Sequence, residues 1–514
     1  MKPVPENRWP MIPIEVNSRV LMFQGTGSDV GKSTIVAGLC RIASRRGISV
    51  APFKPQNMSN NAAACTNGGE IGRAQALQAR ACGLEPQVDF NPVLLKPQSD
   101  QTAQVVVHGQ VLKSVSASDY MTKQRALLQE AVLESYHRLA QEFELVLVEG
   151  AGSPAEINLR QHDIANMGFA RAVSSPVCLI GDIDRGGVIA AIAGTQRVID
   201  PADSAMISSF IINRFRGDPN LFTDGVTAIE ELTGWPCRGV VPWLPRALRL
   251  PQEDAVVLDE WAKKDQKSDS HQVLIAIPML SRIANFDDMD PLRAEPNVSV
   301  VFVPPGQSIP LDVDAVIVPG TKSSIGDMQF LIEQGWDHDI IAVARRGCRV
   351  LGVCGGYQLL GKAIHDPDLV DGNVESIQGL GLLDVVTVME GEKSTKQVSG
   401  YCVRSNTAVD GYEIHMGKTS GADTFRPMLE LSTGVDGAIS SNGCIEGTYV
   451  HGIFSSDAYR SWWLDTLVAG SSSKLQFELE IDHELDVLAD GLEASLDVDS
   501  LIEDARVPQF GMPQ

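Results

Sequence analysis

Residues 19–47 read RVLMFQGTGSDVGKSTIVAGLCRIASRRG. RVLMFQ has the apolar character of a buried strand, and IVAGLCRIASRRG that of a helix. Between them lies a turn containing Gly25, Thr26, Gly27, Gly31, Lys32, Ser33 and Thr34. A glycine-containing turn between strand and helix lets backbone N–H groups and the helix N-terminus close around phosphate oxygens. Lys32 can then reach terminal phosphates, and the Ser33 hydroxyl can ligate Mg²⁺. The spacing is G-x5-GKS, counted from Gly25, because Thr26 stands where the strict phosphate loop has its first glycine. These seven residues are the candidate ATP contacts.

Further apolar runs follow: ISVAPFK, FELVLVEG, SSPVCLIGD and SSFIINR. Helix-length segments separate them, so the expected class is α/β, a parallel sheet covered on both faces. In such a sheet ligands gather at the carboxyl ends of the strands. Glu149 ends FELVLVE there, and Asp182 and Asp184 end another run, although an acid at a strand end is often only a helix cap. The stretch from Asn57 to Asp119 is too long for a simple βα loop and is expected to carry substrate-binding structure.

Residues 258–271 are polar and without periodicity, which predicts a linker. A second α/β series then begins with QVLIAIP, VSVVFVP, DAVIVPG and CRVLGVCGG. The last of these leads to Cys354 in Gly352-Val353-Cys354-Gly355-Gly356. G-x-C-x-G is the thiol form of the nucleophile elbow, a tight strand-to-helix turn that exposes sulfur at a helix N-terminus favouring thiolate. The Gly355 N–H is placed to stabilise an oxyanion, and Gly320, in the turn after DAVIV, is the candidate second donor. His451 in GTYVHGIF is the candidate base, and His415 in GYEIHMG competes for a supporting role. Gly452 and Ile453 follow His451, so no neighbouring carboxylate orients its ring.

The expected divisions are residues 18–257, the linker 258–271, residues 272–470 and an extension, residues 471–514. The extension holds 11 acidic residues against Lys474 and Arg506. Leu485, Leu488, Leu492 and Leu496 recur in it at helical spacing, which predicts an acidic amphipathic helix packed on the second unit.

Composition narrows the rest. The 514 residues exceed what one hydrophobic core serves. A net charge of −23 argues against general binding to nucleic acid or anionic membrane. Nine cysteines without a CxxC pair fit a reducing compartment better than a disulfide framework. No signal-peptide pattern or apolar run of about 18 residues occurs, so a cytoplasmic protein is expected. Oligomeric state is left open.

The loop spacing resembles that of dethiobiotin synthetase and the MinD-like ATPases. A similar EGAG segment implies that Glu149 contacts Mg²⁺, with Asp182 a further candidate, and the likeness places Asn213 as an adenine reader. The elbow, the Pro319-Gly320-Thr321 turn and His451 resemble the triad-type glutamine amidotransferase domain. Most members follow the catalytic His with Pro-Glu, and the corrinoid amidase branch lacks that Glu, as here. FKPQNMSNNA (53–62), EIGRAQALQA (70–79), VEGAGSPAEINL (148–159) and GDIDRGGV (181–188) are similar to segments of the same branch. The resemblance, running from about Leu21 to about Arg460, implies ATP- and glutamine-dependent amidation of side chains b, d, e and g of adenosylcobyrinic acid a,c-diamide. Lys54, Arg73, Lys96, Arg160 and Arg185 are then candidate contacts for a polyanionic corrinoid. Three alternatives stay open: the sister activity that forms the a,c-diamide, amidation of another carboxylate, and a MinD-like regulatory ATPase without enzymatic amidation.

Overall fold

The computed structural model describes residues 17–66, 68–98, 102–116, 125–253, 258, 261, 273–372 and 374–508. Along the first α/β unit run β1 (Arg19–Gly25), β2 (Val50–Phe53), β3 (Gln56–Met58), β4 (Ala62–Ala64), β5 (Glu70–Gly72), β6 (Val93–Pro97), β7 (Thr102–Val107), β8 (Gln110–Ser116), β9 (Leu145–Glu149), β10 (Val177–Asp182), β11 (Ile207–Phe215) and β12 (Cys237–Pro242). Six of them form a parallel sheet in the order β12-β11-β10-β1-β9-β2. The central strands are buried along nearly their whole length, as expected of a sheet with both faces covered. Its carboxyl edge gathers the ends of β1, β9 and β10, and hence Gly25, Glu149 and Asp182. The sixth strand, β12, is a half-buried edge strand whose CRGVVP carries a weaker apolar signal than the other five.

The segment after β2 forms a four-stranded sheet, β3-β6-β7-β8, and the hairpin β4–β5. Part of it meets the second unit: Ala62, Ala64, Leu94 and Val106 pack with Ile414 and Tyr412. The segment expected to serve substrate binding is therefore also an interface.

The second unit contains β13 (Val273–Pro278), β14 (Val298–Val303), β15 (Ala315–Val318), β16 (Arg349–Val353), β17 (Ala363–His365), β18 (Ser376–Gln378), β19 (Val386–Cys402), β20 (Ala408–Ser420), β21 (Leu429–Leu431), β22 (Gly434–Asp436), β23 (Ala438–Ile439), β24 (Ile445–Thr448) and β25 (Val450–His451). Its main sheet has the order β14-β13-β15-β16-β24-β23, parallel except for β23. The long strands β19 and β20 anchor a second, largely antiparallel sheet that carries β25 and His451.

Most of the expected linker lies outside the described residues. Leu258 and Trp261 are exceptions: both are buried in the second unit's core, and Trp261 packs on Phe302 with ring centroids 5.5 Å apart. These two residues therefore belong to the second unit.

The extension is helical over Phe477–Glu493 and Val498–Asp504, but it docks on the first unit. Leu488 and Leu492 cover Gly38 of helix Lys32–Arg45, where an added Cβ would lie 2.4 Å from Leu492 Cδ1. The charges explain the choice of partner. Arg41 meets Asp486 at 2.8 Å, Arg45 meets Asp490 at 2.7 Å, and Arg246 meets Glu484 at 2.8 Å. Leucine periodicity gave the helix one apolar face, and an arginine-rich surface on the first unit matches its acids. Among the described residues, no helix is long and apolar enough to cross a membrane.

Two candidate active sites and the interface between them

The phosphate-loop helix Lys32–Arg45 begins after Gly31 with no side-chain cap and no acid in its first turn. Its first N–H groups are thus left for an anion. Gly31 has φ +88°, and a Cβ there would lie 2.3 Å from Asn213 Nδ2, so only glycine fits. Lys32 Nζ donates to the carbonyls of Gly27 (3.0 Å) and Gly152 (3.2 Å), curled over the loop. A cavity of about 820 Å³ opens beside it, walled by Gly31, Lys32, Ser33 and Thr34 among others.

Glu149, 1% exposed, is the most heavily engaged acid at this edge. Its Oε1 accepts from Ser33 Oγ and Lys54 Nζ, both at 2.8 Å, and its Oε2 from Gln78 Nε2 at 2.6 Å. Burial alone would raise its pKa, but the Lys54 charge and the hydrogen bonds from Lys54, Gln78 and Ser33 hold it below the usual carboxylate range. A hydroxyl and an ionised carboxylate side by side at a phosphate loop suit Mg²⁺, which takes one or two protein oxygens and completes its shell with water and phosphate.

Asp182 does not join that pair. One of its oxygens accepts from the Asp184 N–H at 2.8 Å and the other from Arg214 Nη1 at 3.0 Å, and it is absent from the cavity wall. Asp184 is likewise tied to Arg216. Asn213 also differs from expectation: its Nδ2 donates to the Val30 carbonyl at 2.9 Å, bracing the loop, and it too is missing from the wall. Arg214 and Arg216, which no sequence pattern marked, do line the cavity.

The candidate corrinoid contacts divide. Lys54, Arg160 and Arg185 reach the cavity wall, each already paired: with Glu149, with Asp203 at 2.9 Å and with Asp29 at 2.9 Å. Arg73 and Lys96 do not. Arg73 Nε lies 2.9 Å from Asp287 Oδ2 in the second unit, and Lys96 Nζ lies 2.9 Å from Glu70 Oε2. Both serve the interface because their carboxylate partners are there.

In the second unit, β16 leads into Cys354, which has φ +52° and ψ −111°. A non-glycine residue adopts that conformation only under strain, the mark of a nucleophile elbow. The turn is pressed against Pro319-Gly320-Thr321: a Cβ on Gly355 would lie 2.6 Å from Thr321 Cγ2, and one on Gly356 would lie 2.0 Å from the Val318 carbonyl. Gly355 opens helix Gly355–Leu360, where N–H groups have no intrahelical partner. Across the turn, a Cβ on Gly320 would lie 2.9 Å from His451 Cε1. Thiol, both glycine turns and imidazole thus share a cavity of about 50 Å³.

His451 has a carboxylate partner after all. Its Nδ1 lies 2.7 Å from Asp288 Oδ2, and the other Asp288 oxygen accepts the Gly452 N–H at 2.7 Å. An ionised carboxylate only accepts, so Nδ1 carries the proton and Nε2 is left for Cys354. Burial opposes a charged ring, but Asp288 and Cys354, by charge and hydrogen bond, outweigh it and push His451 up to about 10. His415 lines the same cavity, with Nε2 3.5 Å from Glu413 and its ring stacked on Tyr449 at 3.8 Å. It has no contact with Asp288. Asp288 lies in the acid-rich run FDDMD (286–290), which carries no motif that marks it as a partner of a histidine.

Comparison with known proteins bears on both units. Residues 21–257 match the CobQ/CobB/MinD/ParA nucleotide binding domain, and residues 274–459 match the CobB/CobQ-like glutamine amidotransferase domain. Over 493 residues the chain is 61% identical to a cobyric acid synthase of Hyphomonas neptunium, covering 96% of this chain and 99% of that protein. It is 59% identical over 486 residues to a cobyric acid synthase of Paracoccus denitrificans, covering 95% and 99%. It is 54% identical over 484 residues to one of Brucella anthropi, covering 94% and 99%.

Proposed function

The chain belongs to the cobyric acid synthase family, and from that membership we propose that it amidates side chains b, d, e and g of adenosylcobyrinic acid a,c-diamide in the cytoplasm, with glutamine as nitrogen donor and ATP as activator. It is a glutamine-dependent amidating enzyme, which removes the regulatory-ATPase reading. The observation that carries the proposal is the pairing, in one chain, of a Cys–His–Asp arrangement with a phosphate loop facing a cavity of about 820 Å³.

In this reading the Cys354 thiolate attacks the side-chain amide carbon of glutamine. The Gly355 and Gly320 amides stabilise the oxygen as it takes up charge. His451, held by Asp288, gives its proton to the departing nitrogen, and ammonia leaves a thioester that water cleaves to glutamate. In the other site a corrinoid carboxylate oxygen attacks the γ-phosphorus of ATP and ADP departs. Lys32 and the loop N–H groups hold the phosphates. Ser33 and Glu149 would hold Mg²⁺, which when bound neutralises phosphate charge. Ammonia then attacks the acyl phosphate carbon and phosphate leaves.

The test is turnover of adenosylcobyrinic acid a,c-diamide with glutamine and ATP, followed by mass spectrometry. Stepwise conversion to the fully amidated corrinoid supports the proposal; an a,c-diamide left unchanged, while cobyrinic acid in a parallel assay is amidated at a and c, would refute it.

A further inference from the structure

The glutamine cavity holds more charge than thiol chemistry needs. Lys96, Lys322 and Lys393 all line it, as does Asp371. Lys96 comes from β6 of the nucleotide-binding domain, Lys393 from β19 of the amidotransferase domain, and Glu70 of β5 is clamped between them. Glu70 is fully buried, and despite burial the two lysines hold it down to about 2, so it is a permanent anion. The cluster thus sets three lysines against two acids. Burial pushes Lys393 down to about 7, with Lys96 and Lys322 adding to that push against the pull of Glu70, and burial lowers Lys322 also. Ammonium groups crowded in this way gain from an additional anion.

Glutamine bound with its amide at Cys354 carries its α-carboxylate a short chain away, inside the same small cavity. We propose that Lys322 and Lys393, with Lys96 supplied by the neighbouring domain, form the recognition site for the α-carboxylate of glutamine, so that the glutamine pocket is complete only when the two domains are docked. This rests on the reading of Cys354 and His451 as the glutamine site. Asp371, whose Oδ2 accepts the Ile325 N–H at 2.8 Å, supplies a further carboxylate of the pocket for the α-ammonium.

The test uses the full-length enzyme. Glutamine-driven amidation is measured in Lys322→Gln and Lys393→Met, each normalised to the ammonia-driven rate of the same variant. Lys322→Gln leaves the Glu70 clamp in place, so it keeps the test valid should Lys393→Met fail to fold. Loss of one charged hydrogen bond predicts a rise of about 10-fold or more in the KM for glutamine with kcat much less affected. Wild type should use glutaminamide, which lacks the α-carboxylate, with a KM raised by a similar factor, and Lys322→Gln should narrow that gap. An unchanged glutamine KM in Lys322→Gln, or an undiminished discrimination against glutaminamide, overturns the proposal. Persistence of glutamine-driven turnover in Cys354→Ser would instead overturn the assignment of the site itself.

Discussion

Asp288 grips His451 from a position 163 residues earlier in the chain, one carboxylate oxygen on Nδ1 and the other on the N–H of the next residue, Gly452. The relation supplies what the residues after His451 lack. An imidazole so held keeps its Nδ1 proton and is stabilised as imidazolium beside Cys354.

Replacing Asp288 by Asn should therefore lower the glutamine-driven rate by about 10²- to 10⁴-fold, the range for a general acid–base group disabled in place. Ammonia-driven amidation, chemistry of the other domain, should fall far less. Parallel assays with the two nitrogen sources check this, and equal losses would mean that Asp288 acts only on folding.

The same contact sets a pH window. A ring raised from 6.5 to about 10 binds its proton more tightly when folded. Its contribution to stability is fully present below pH 6.5 and is lost as pH rises through about 10. Urea unfolding at stepped pH should show that decline, and in Asp288→Asn, where the folded ring lies closer to its ordinary value, the decline should be smaller and end at lower pH. Superimposable alkaline profiles would contradict the assignment.

Arg73 joins the two sites. Its guanidinium meets Asp287, the neighbour of Asp288, while Gln78 on the same helix, Arg73–Ala81, bonds Glu149 at the phosphate loop. Arg73→Met should loosen that link, so that more than one glutamate is released per amide formed. Measuring both products in one reaction tests it; a ratio equal to that of wild type would leave Arg73 a structural contact.

At the phosphate loop, Lys32→Ala and Glu149→Gln should each reduce amidation by about 10²-fold or more with either nitrogen source, because both act on phosphoryl transfer. Near-normal ammonia-driven activity in either variant would place ATP elsewhere.

The docked C-terminal helix gives a stability prediction. Leu492 is fully buried against Gly38 on the phosphate-loop helix. Leu492→Ala should cost about 2–5 kcal/mol by chemical denaturation, with ATP-dependent steps weakened together. A change well under that range would mean that the extension is dispensable to the first domain.

What the sequence disclosed followed from how local each feature is. The phosphate loop and the Cys354 elbow are contiguous turns whose small residues are required by backbone geometry, so their spelling is readable. Asp288 is not, because its partner is remote and an acid-rich run such as FDDMD resembles any solvated loop. The leucines of Phe477–Glu493 disclosed an apolar face, but the arginines that pair with its acids lie on three separate elements: helices Lys32–Arg45 and Arg73–Ala81 and the turn Pro245–Arg249. Charge alone marks Arg73 and Lys96 as candidate corrinoid contacts, whereas their nearest partners are the buried carboxylates Asp287 and Glu70 at the domain interface.

The division of labour between the two domains is tested most directly by Cys354→Ser, assayed for corrinoid amidation with glutamine and, separately, with ammonia. The account predicts that glutamine-driven amidation disappears while ammonia-driven amidation persists. Loss of both in a folded variant, or survival of the glutamine-driven reaction, would contradict it.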